Sequence, residues 1–138
     1  MKLKIMLEPG AVMPERAHTN DAGLDLFAME TVYIAPHSRE TVDTGVHVAI
    51  PNGFVGMLTS KSGLMRKNGI TCRGTIDPGY TGTIQAIMFN HSDKAYKVEK
   101  GSKVTQLVIF PMVIPELLEV DEMEETERGA NGFGSSGK

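Results

Sequence analysis

Apolar and polar residues alternate over several short stretches of the chain, and this alternation predicts β-strands. In TVDTGVHVAI at 41–50, Val42, Val46, Val48 and Ile50 fall on one face of an extended chain, as in a strand with one buried face. Similar patterns predict a strand near the start of the chain and further strands at 54–60, 81–90 and 103–110.

Turn-forming segments separate these stretches at regular spacing. They are rich in Gly, Pro and Asn, as in PNG at 51–53, DPGY at 77–80 and EKGS at 99–102. Only KSGLMRKN at 61–68 has the pattern of a short helix. Many short strands with so little helix favour an all-β fold, which would be a sandwich, a barrel or a jelly roll.

The composition is that of one globular domain. The chain has 138 residues, of which 41% are hydrophobic, and its net charge of −3 argues against binding to nucleic acid or to a membrane. The first residues, MKLKIMLEPG, resemble neither a signal peptide nor a membrane span. The single cysteine, Cys72, excludes an intramolecular disulfide and favours a cytoplasmic location. Its neighbour Arg73 could lower the pKa of the thiol, but with no evident partner Cys72 is more simply an incidental residue near the hairpin.

The C-terminal part of the chain differs from the rest. An acidic run occupies 119–127, and a segment rich in Gly and Ser follows at 129–138. We therefore expect a β domain at 1–120, then an acidic linker and a glycine-rich arm at 121–138. The final GFGSSGK matches two glycine-rich nucleotide-binding patterns, but an acidic run precedes it where both patterns need an apolar strand. Such a segment could still close over a bound anion through its N–H groups and hydroxyls.

Four segments carry residues that are unusual for the loops of a β-sandwich, although each alone is weak evidence. Asp25 in NDAGLDLFA could be a turn residue, and Ser62 in TSKSGLMRK could be an ordinary helix N-cap. GTIDPGYTG presents Asp77 and Tyr80 in a tight turn. Gln106 interrupts the apolar stretch of KGSKVTQLV and could lie on an edge strand that faces water.

Taken together, AGLDL, KSGL, GTIDPGYTG, the glutamine of KVTQLV and RGANGFGSSG resemble, in order and spacing, the five motifs of the homotrimeric dUTP pyrophosphatase (dUTPase) family. The resemblance extends from residue 22 to residue 137. It implies a β jelly roll with one short helix and a flexible C-terminal arm. It also implies a homotrimer in which each active site is assembled from three chains. The reaction would be Mg²⁺-dependent hydrolysis of dUTP to dUMP and pyrophosphate, which limits uracil in DNA and supplies dUMP.

The resemblance also implies roles for individual residues. Asp77 would be the general base that activates the water attacking the α-phosphorus. Asp25 would hold Mg²⁺ through a water molecule, and Tyr80 would lie against the deoxyribose and exclude a 2′-hydroxyl. The remaining substrate contacts would come from Lys61, Ser62, Gly63, Gln106, Arg128, Ser135 and Ser136 at the phosphates, from Phe133 and Gly134 over the uracil, and from the hairpin residues Thr71, Gly74 and Ile76 at the uracil edge.

Three positions depart from the usual family pattern. Lys61 stands where an arginine is common, so a point charge replaces a planar fork at the phosphates. Gly79 stands where a second acidic residue is common, and it predicts a changed turn with the base retained. Thr71 stands where many members have an asparagine beside the uracil.

Two other functional interpretations remain open at this point. The dCTP deaminases share the turn motif, but their catalytic glutamate would fall on Ile87, which cannot transfer protons. A dUTPase-like protein could instead act mainly as a nucleotide-gated regulator that binds a partner protein. A purely structural β-sandwich would leave the five ordered motifs unexplained.

Overall fold

The computed structural model describes residues 1–132 and 134. Within these residues, ten strands and one helix follow one another. They are β1 (Lys4–Leu7), β2 (Leu24–Phe27), β3 (Val32–Ile34), β4 (Arg39–Ala49), β5 (Phe54–Thr59), α1 (Ser62–Asn68), β6 (Ile70–Cys72), β7 (Gly74–Ile76), β8 (Thr83–Asn90), β9 (Tyr96–Val98) and β10 (Lys103–Pro111). No helix among the described residues has the length and apolarity needed to cross a bilayer.

The strands form two four-stranded sheets and a small third one. The first sheet has the order β1-β4-β8-β6, the second has the order β2-β10-β5-β7, and β3 pairs with β9. All the strand pairs are antiparallel. This architecture confirms the predicted all-β, jelly-roll-like fold with one short helix.

The hydrophobic core contains the residues that the alternating pattern placed inside. Val42, Val46, Val48 and Ile50 are all buried, as predicted for the strand that the structure places at Arg39–Ala49. Their core partners from the other strands include Leu26, Ile34, Leu58, Ile84, Met88 and Leu107. The predicted strands at 54–60, 81–90 and 103–110 are confirmed with small shifts at their ends.

The chain beyond the last strand differs from the body of the fold. No helix or strand occurs in the stretch 112–132, whose side chains are almost all exposed. Several of them are large and apolar, including Val113, Ile114, Leu117 and Leu118, each at least 80% exposed. A stretch of this composition contributes little to the core of its own chain.

Candidate active site

The buried carboxylate of Asp25 is the centre of a charged cluster. Asp25 lies in β2 and is only 2% exposed. Its Oδ1 accepts a hydrogen bond from Lys61 Nζ, and its Oδ2 lies 2.8 Å from Lys103 Nζ. The interpretation of Asp25 as a simple turn residue is therefore wrong, because its side chain pairs with two ammonium groups.

The two lysines also control the protonation of Asp25. Burial by itself raises the pKa of a carboxyl group, but the hydrogen bonds and charges of Lys103 and Lys61 outweigh that effect. The pKa of Asp25 is therefore lowered from its ordinary value, and the group is a carboxylate at neutral pH.

Strand register brings Gln106 beside Asp25. Gln106 in β10 pairs with Asp25 on one side and with Thr59 of β5 on the other. Since β10 lies between these two strands, the edge-strand interpretation of Gln106 is wrong. A pocket of about 250 Å³ is lined by Gly23, Asp25, Lys61 and Gln106. A Cβ atom on Gly23 would lie 2.2 Å from Gln106 Oε1, so glycine leaves the amide room to face the pocket.

The helix α1 begins next to this pocket. Its N-cap is Lys61, which makes no side-chain capping bond, so the interpretation of Ser62 as the N-cap is wrong. Ser62 and Gly63 are instead the first two helical residues, and both are exposed. The chain therefore presents a cation, a hydroxyl and an open backbone at one edge of the pocket.

Asp77 and Tyr80 lie in a β-turn that links the two main sheets. Tyr80 N–H donates to the Asp77 carbonyl over 3.2 Å, and Gly79 between them has a φ of 89°. Proline at 78 followed by a glycine with positive φ defines a type II turn. Asp77 is exposed, and Tyr80 is 44% exposed with its hydroxyl donating to the Thr83 carbonyl.

The other hairpin residues have mixed environments. Thr71 Oγ1 lies 2.7 Å from His91 Nε2, whereas the side chain of Ile76 belongs to the core. Gly74 lies against Leu58 in β5, where a Cβ atom would make a tight contact of 3.2 Å with Leu58 Cδ1. Cys72 is buried, and burial raises the pKa of its thiol, so the expected lowering by Arg73 is wrong.

The turn and the charged cluster lie far apart within one chain. Ile76 pairs with Gly56 of β5, and Asp77 is the next residue after Ile76. Gln106 pairs with Thr59 of the same strand, so Asp77 lies about four residues along β5 from the level of Gln106. That is about 14 Å along the strand, and three strand spacings across the sheet to β2 add about 14 Å sideways. Asp77 and Asp25 are therefore separated by about 20 Å.

Arg128 is not brought to the cluster either. Its Nε donates to the Asn131 carbonyl over 2.9 Å, which is its only hydrogen bond within the described part of the chain. Gly134 is exposed, with a φ of 98°. Phe133, Ser135 and Ser136 lie outside the described residues.

The part of the chain that the structure describes offers few ligands for a metal ion. Within 1–132 and 134, no group of three or more His, Cys, Asp or Glu side chains lies close enough together to bind one. Asp25 and Gln106 nevertheless supply hard oxygen atoms at one pocket, and Mg²⁺ commonly keeps several water molecules and binds phosphate oxygens. These residues fit a magnesium ion that a phosphate ligand brings with it.

The sequence did not single out two residues, one of which contacts the predicted site and the other of which contacts the chain just after the Asp77 turn. Lys103 pairs with Asp25, and a bulge in β10 places it there. His47 links the chain after the turn to the first strand, because its ring contacts the Thr81 carbonyl and the Glu8 carboxylate. Neither contact has a local sequence signal, since both depend on pairing between distant strands.

The fold and the pocket define a jelly-roll protein with a charged pocket between strands, and comparison with known proteins identifies its family. A family model described as dUTPase matches residues 10–137. The deoxyuridine 5′-triphosphate nucleotidohydrolase of Clostridium tetani is 43% identical and aligns with 100% of this chain and 97% of that protein. The chain therefore belongs to the dUTPase family.

Solved structures agree with this assignment. The Staphylococcus bacteriophage 80alpha dUTPase with dUPNHPP has a TM-score of 0.93 and 38% identity, with 99% of both chains covered. A mutant dUTPase from phage phi11 of S. aureus, solved to show the coordination of a structural Mg(II) ion, has a TM-score of 0.84 and 34% identity and covers 91% of this chain and 100% of its own.

Ile87, where a deaminase would need its glutamate, is 43% exposed on β8.

Proposed function

We propose that the protein hydrolyses dUTP to dUMP and pyrophosphate, which limits uracil in DNA and supplies dUMP. The observation that carries this proposal is the pocket formed by Asp25, Lys61 and Gln106, together with an exposed Asp77 held in a type II turn. These residues lie in the segments that resemble the family's motifs. Lys61 and Gln106 would donate to the phosphates, helped by Ser62 and the open backbone at Gly63.

Asp77 would act as the general base. An exposed carboxylate can accept a proton from water as the water oxygen bonds to the α-phosphorus, and the bond from that phosphorus to the bridging oxygen then breaks to release pyrophosphate. Tyr80 would pack against the deoxyribose, and the backbone around Thr71, Gly74 and Ile76 would read the uracil. The thiol of Cys72 has no part in this step because it is buried and protonated.

Magnesium would be held mainly by the phosphates, and Asp25 would accept a hydrogen bond from one of its water molecules. When bound, Mg²⁺ would neutralise phosphate charge and polarise the reacting phosphoryl group. The arm at 121–138 would close over the nucleotide, with Arg128 at the terminal phosphate, Ser135 and Ser136 beside it, and Phe133 and Gly134 over the base. We place this activity in the cytoplasm because the protein's single cysteine is unpaired.

We propose further that three chains share each active site. The separation of about 20 Å between Asp77 and Asp25 supports this arrangement, because one nucleotide cannot bring both carboxylates to the same reacting group within one chain. The exposed apolar residues at 113–118 also support it, since they would be buried if the segment that leads to the arm lay across a neighbouring chain. The Asp77 turn would then come from one neighbour and the arm from the other.

Mixing two inactive variants tests this sharing. Asp77→Asn lacks the base but keeps the arm, and a chain truncated after residue 127 lacks the arm but keeps Asp77. Co-refolded in equal amounts, they should recover about a quarter of the wild-type turnover, because about that fraction of sites receives an intact turn and an intact arm from different chains. Recovery of no activity, with each parent folded and assembled, would contradict the shared site.

A further inference from the structure

Lys103 is held in place by several groups at once. Its Nζ lies 2.8 Å from Asp25 Oδ2, 3.6 Å from Glu15 Oε1 and 5.9 Å from the centre of the Phe27 ring. Glu15 itself is tied to Asp25 through backbone hydrogen bonds between the two residues. The charged groups around Lys103 are therefore the carboxylates of Glu15 and Asp25. Lys61 contacts the other oxygen of the Asp25 carboxylate.

A β-bulge turns Lys103 toward Asp25. The pairing of β10 with β2 shifts register between Lys103 and Thr105, so Lys103 lies opposite Phe27. Val104 and Thr105 are both buried, although neighbouring residues in a regular strand point to opposite faces. The extra residue therefore moves Lys103 to the face that carries Asp25 and Gln106, which is a common use of bulges beside functional sites.

Two acidic partners, Asp25 and the nucleotide phosphates, compete for the single ammonium group of Lys61. In the structure it donates to Asp25, and it is also the residue proposed to bind the nucleotide phosphates. If Lys61 moved to the phosphates and nothing else paired with Asp25, a carboxylate that is 2% exposed would lose its counter-charge. An unpaired buried charge is strongly unfavourable, so that move would oppose binding.

We propose that Lys103 is a positioning residue that stays paired with Asp25 when Lys61 leaves that carboxylate to bind the nucleotide phosphates. This inference rests on the proposed function. Its three contacts hold Lys103 on the side of Asp25 away from Lys61, so one carboxylate oxygen remains paired throughout. Asp25 therefore keeps its position in the pocket before and after substrate binds.

A double-mutant cycle tests the coupling between these residues. Binding of the non-hydrolysable analogue α,β-imido-dUTP is measured by calorimetry with chelator present, so that no metal ion takes the place of Lys61 beside Asp25. Lys103→Met should weaken binding about 10- to 100-fold, the usual cost of removing a group that orients a ligand-binding residue. In the Asp25→Asn background, where Lys61 is already free, the same change should cost less than about threefold.

Controls separate positioning from other roles. Lys103→Arg should restore binding to near the wild-type value, and Lys97→Met, on the remote strand β9, should have no effect. An equal cost of Lys103→Met in both backgrounds would overturn the inference and make Lys103 a direct phosphate ligand. Unchanged binding in the wild-type background would also overturn it.

A second measurement uses the unmodified protein, in case Lys103→Met does not fold. The ¹⁵Nζ resonance of Lys61 should shift when the analogue is added, while that of Lys103 should keep its position. A shift of both resonances, or of the Lys103 resonance alone, would contradict the proposal that Lys61 leaves Asp25 while Lys103 stays paired with it. Failure of the wild-type chain to bind the analogue at all would overturn the proposed function and this inference with it.

Discussion

Removal of residues 128–138 should abolish most of the turnover and leave the fold unchanged. The described residues of this segment make hydrogen bonds only to neighbours within the arm, such as Arg128 Nε to the Asn131 carbonyl and Gly129 N–H to Thr126. None of them contributes to the core. The free energy of unfolding should therefore change by less than about 0.5 kcal/mol, as for a surface substitution.

The expected loss of activity follows from two proposed contacts. Charge-assisted hydrogen bonds from Arg128 to a phosphate are worth about 10- to 100-fold in binding of the transition state. Stacking of an aromatic ring such as Phe133 on a base is worth a similar factor. Together they predict a fall in kcat/KM of roughly 10²- to 10⁴-fold.

The assay compares kcat/KM for dUTP with the midpoint of urea unfolding in the same preparations. Glu125→Gln, a single change in the acidic run, serves as the control and should keep wild-type values of both quantities. Wild-type kcat/KM in the truncated protein would refute the role of the arm. A large fall in unfolding free energy would show that the segment stabilises the fold instead.

Three further predictions concern the scaffold around the site. Asn90→Ala should lower the free energy of unfolding by about 2–4 kcal/mol in urea titrations. The buried Nδ2 of Asn90 lies within hydrogen-bonding distance of three carbonyl oxygens, and its Oδ1 accepts two hydrogen bonds. A loss below about 1 kcal/mol would contradict this role. Gly79→Ala should lower the free energy of unfolding by about 1–3 kcal/mol, since the φ of 89° at this position is strained for any residue with a side chain. An unchanged unfolding midpoint would argue against a type II turn. Hydrogen bonds to the Thr81 carbonyl and to Glu8 raise the pKa of His47, so its stabilising effect is fully present below its unfolded pKa and is lost as pH rises through the folded pKa. His47→Gln should therefore destabilise the protein more at about pH 5.5 than at about pH 8.5, and an equal loss at both would exclude the charged bridge.

Most of the strands that could be predicted are the long ones. The strand at Arg39–Ala49 has enough residues for its alternation to be read, even though a register shift between Asp43 and His47 interrupts its pairing with β8. The strand predicted near the start of the chain is confirmed at Lys4–Leu7, but other strands of three or four residues, such as Val32–Ile34 and Ile70–Cys72, are too short to show a period and were not predicted. They form because pairing with distant strands satisfies their backbone groups.

Motif order predicted which side chains matter, but not how the chain would arrange them. That Asp25, Lys61 and Gln106 share one pocket follows from strand register, and register depends on the whole sheet. Lys103 was missed because the bulge before Thr105 reverses the face that simple alternation assigns to it. The distance from Asp77 to the pocket likewise depends on sheet order, which short sequence patterns do not encode.

The most direct measurement is pyrophosphate release from dUTP, UTP, dCTP and dTTP side by side, each with Mg²⁺ and with chelator. A dUTPase should release pyrophosphate from dUTP in the presence of Mg²⁺ and should leave the other three nucleotides essentially intact. Absence of release from any nucleotide, with dUTP still bound, would contradict the proposed hydrolysis and indicate a nucleotide-gated regulatory protein instead.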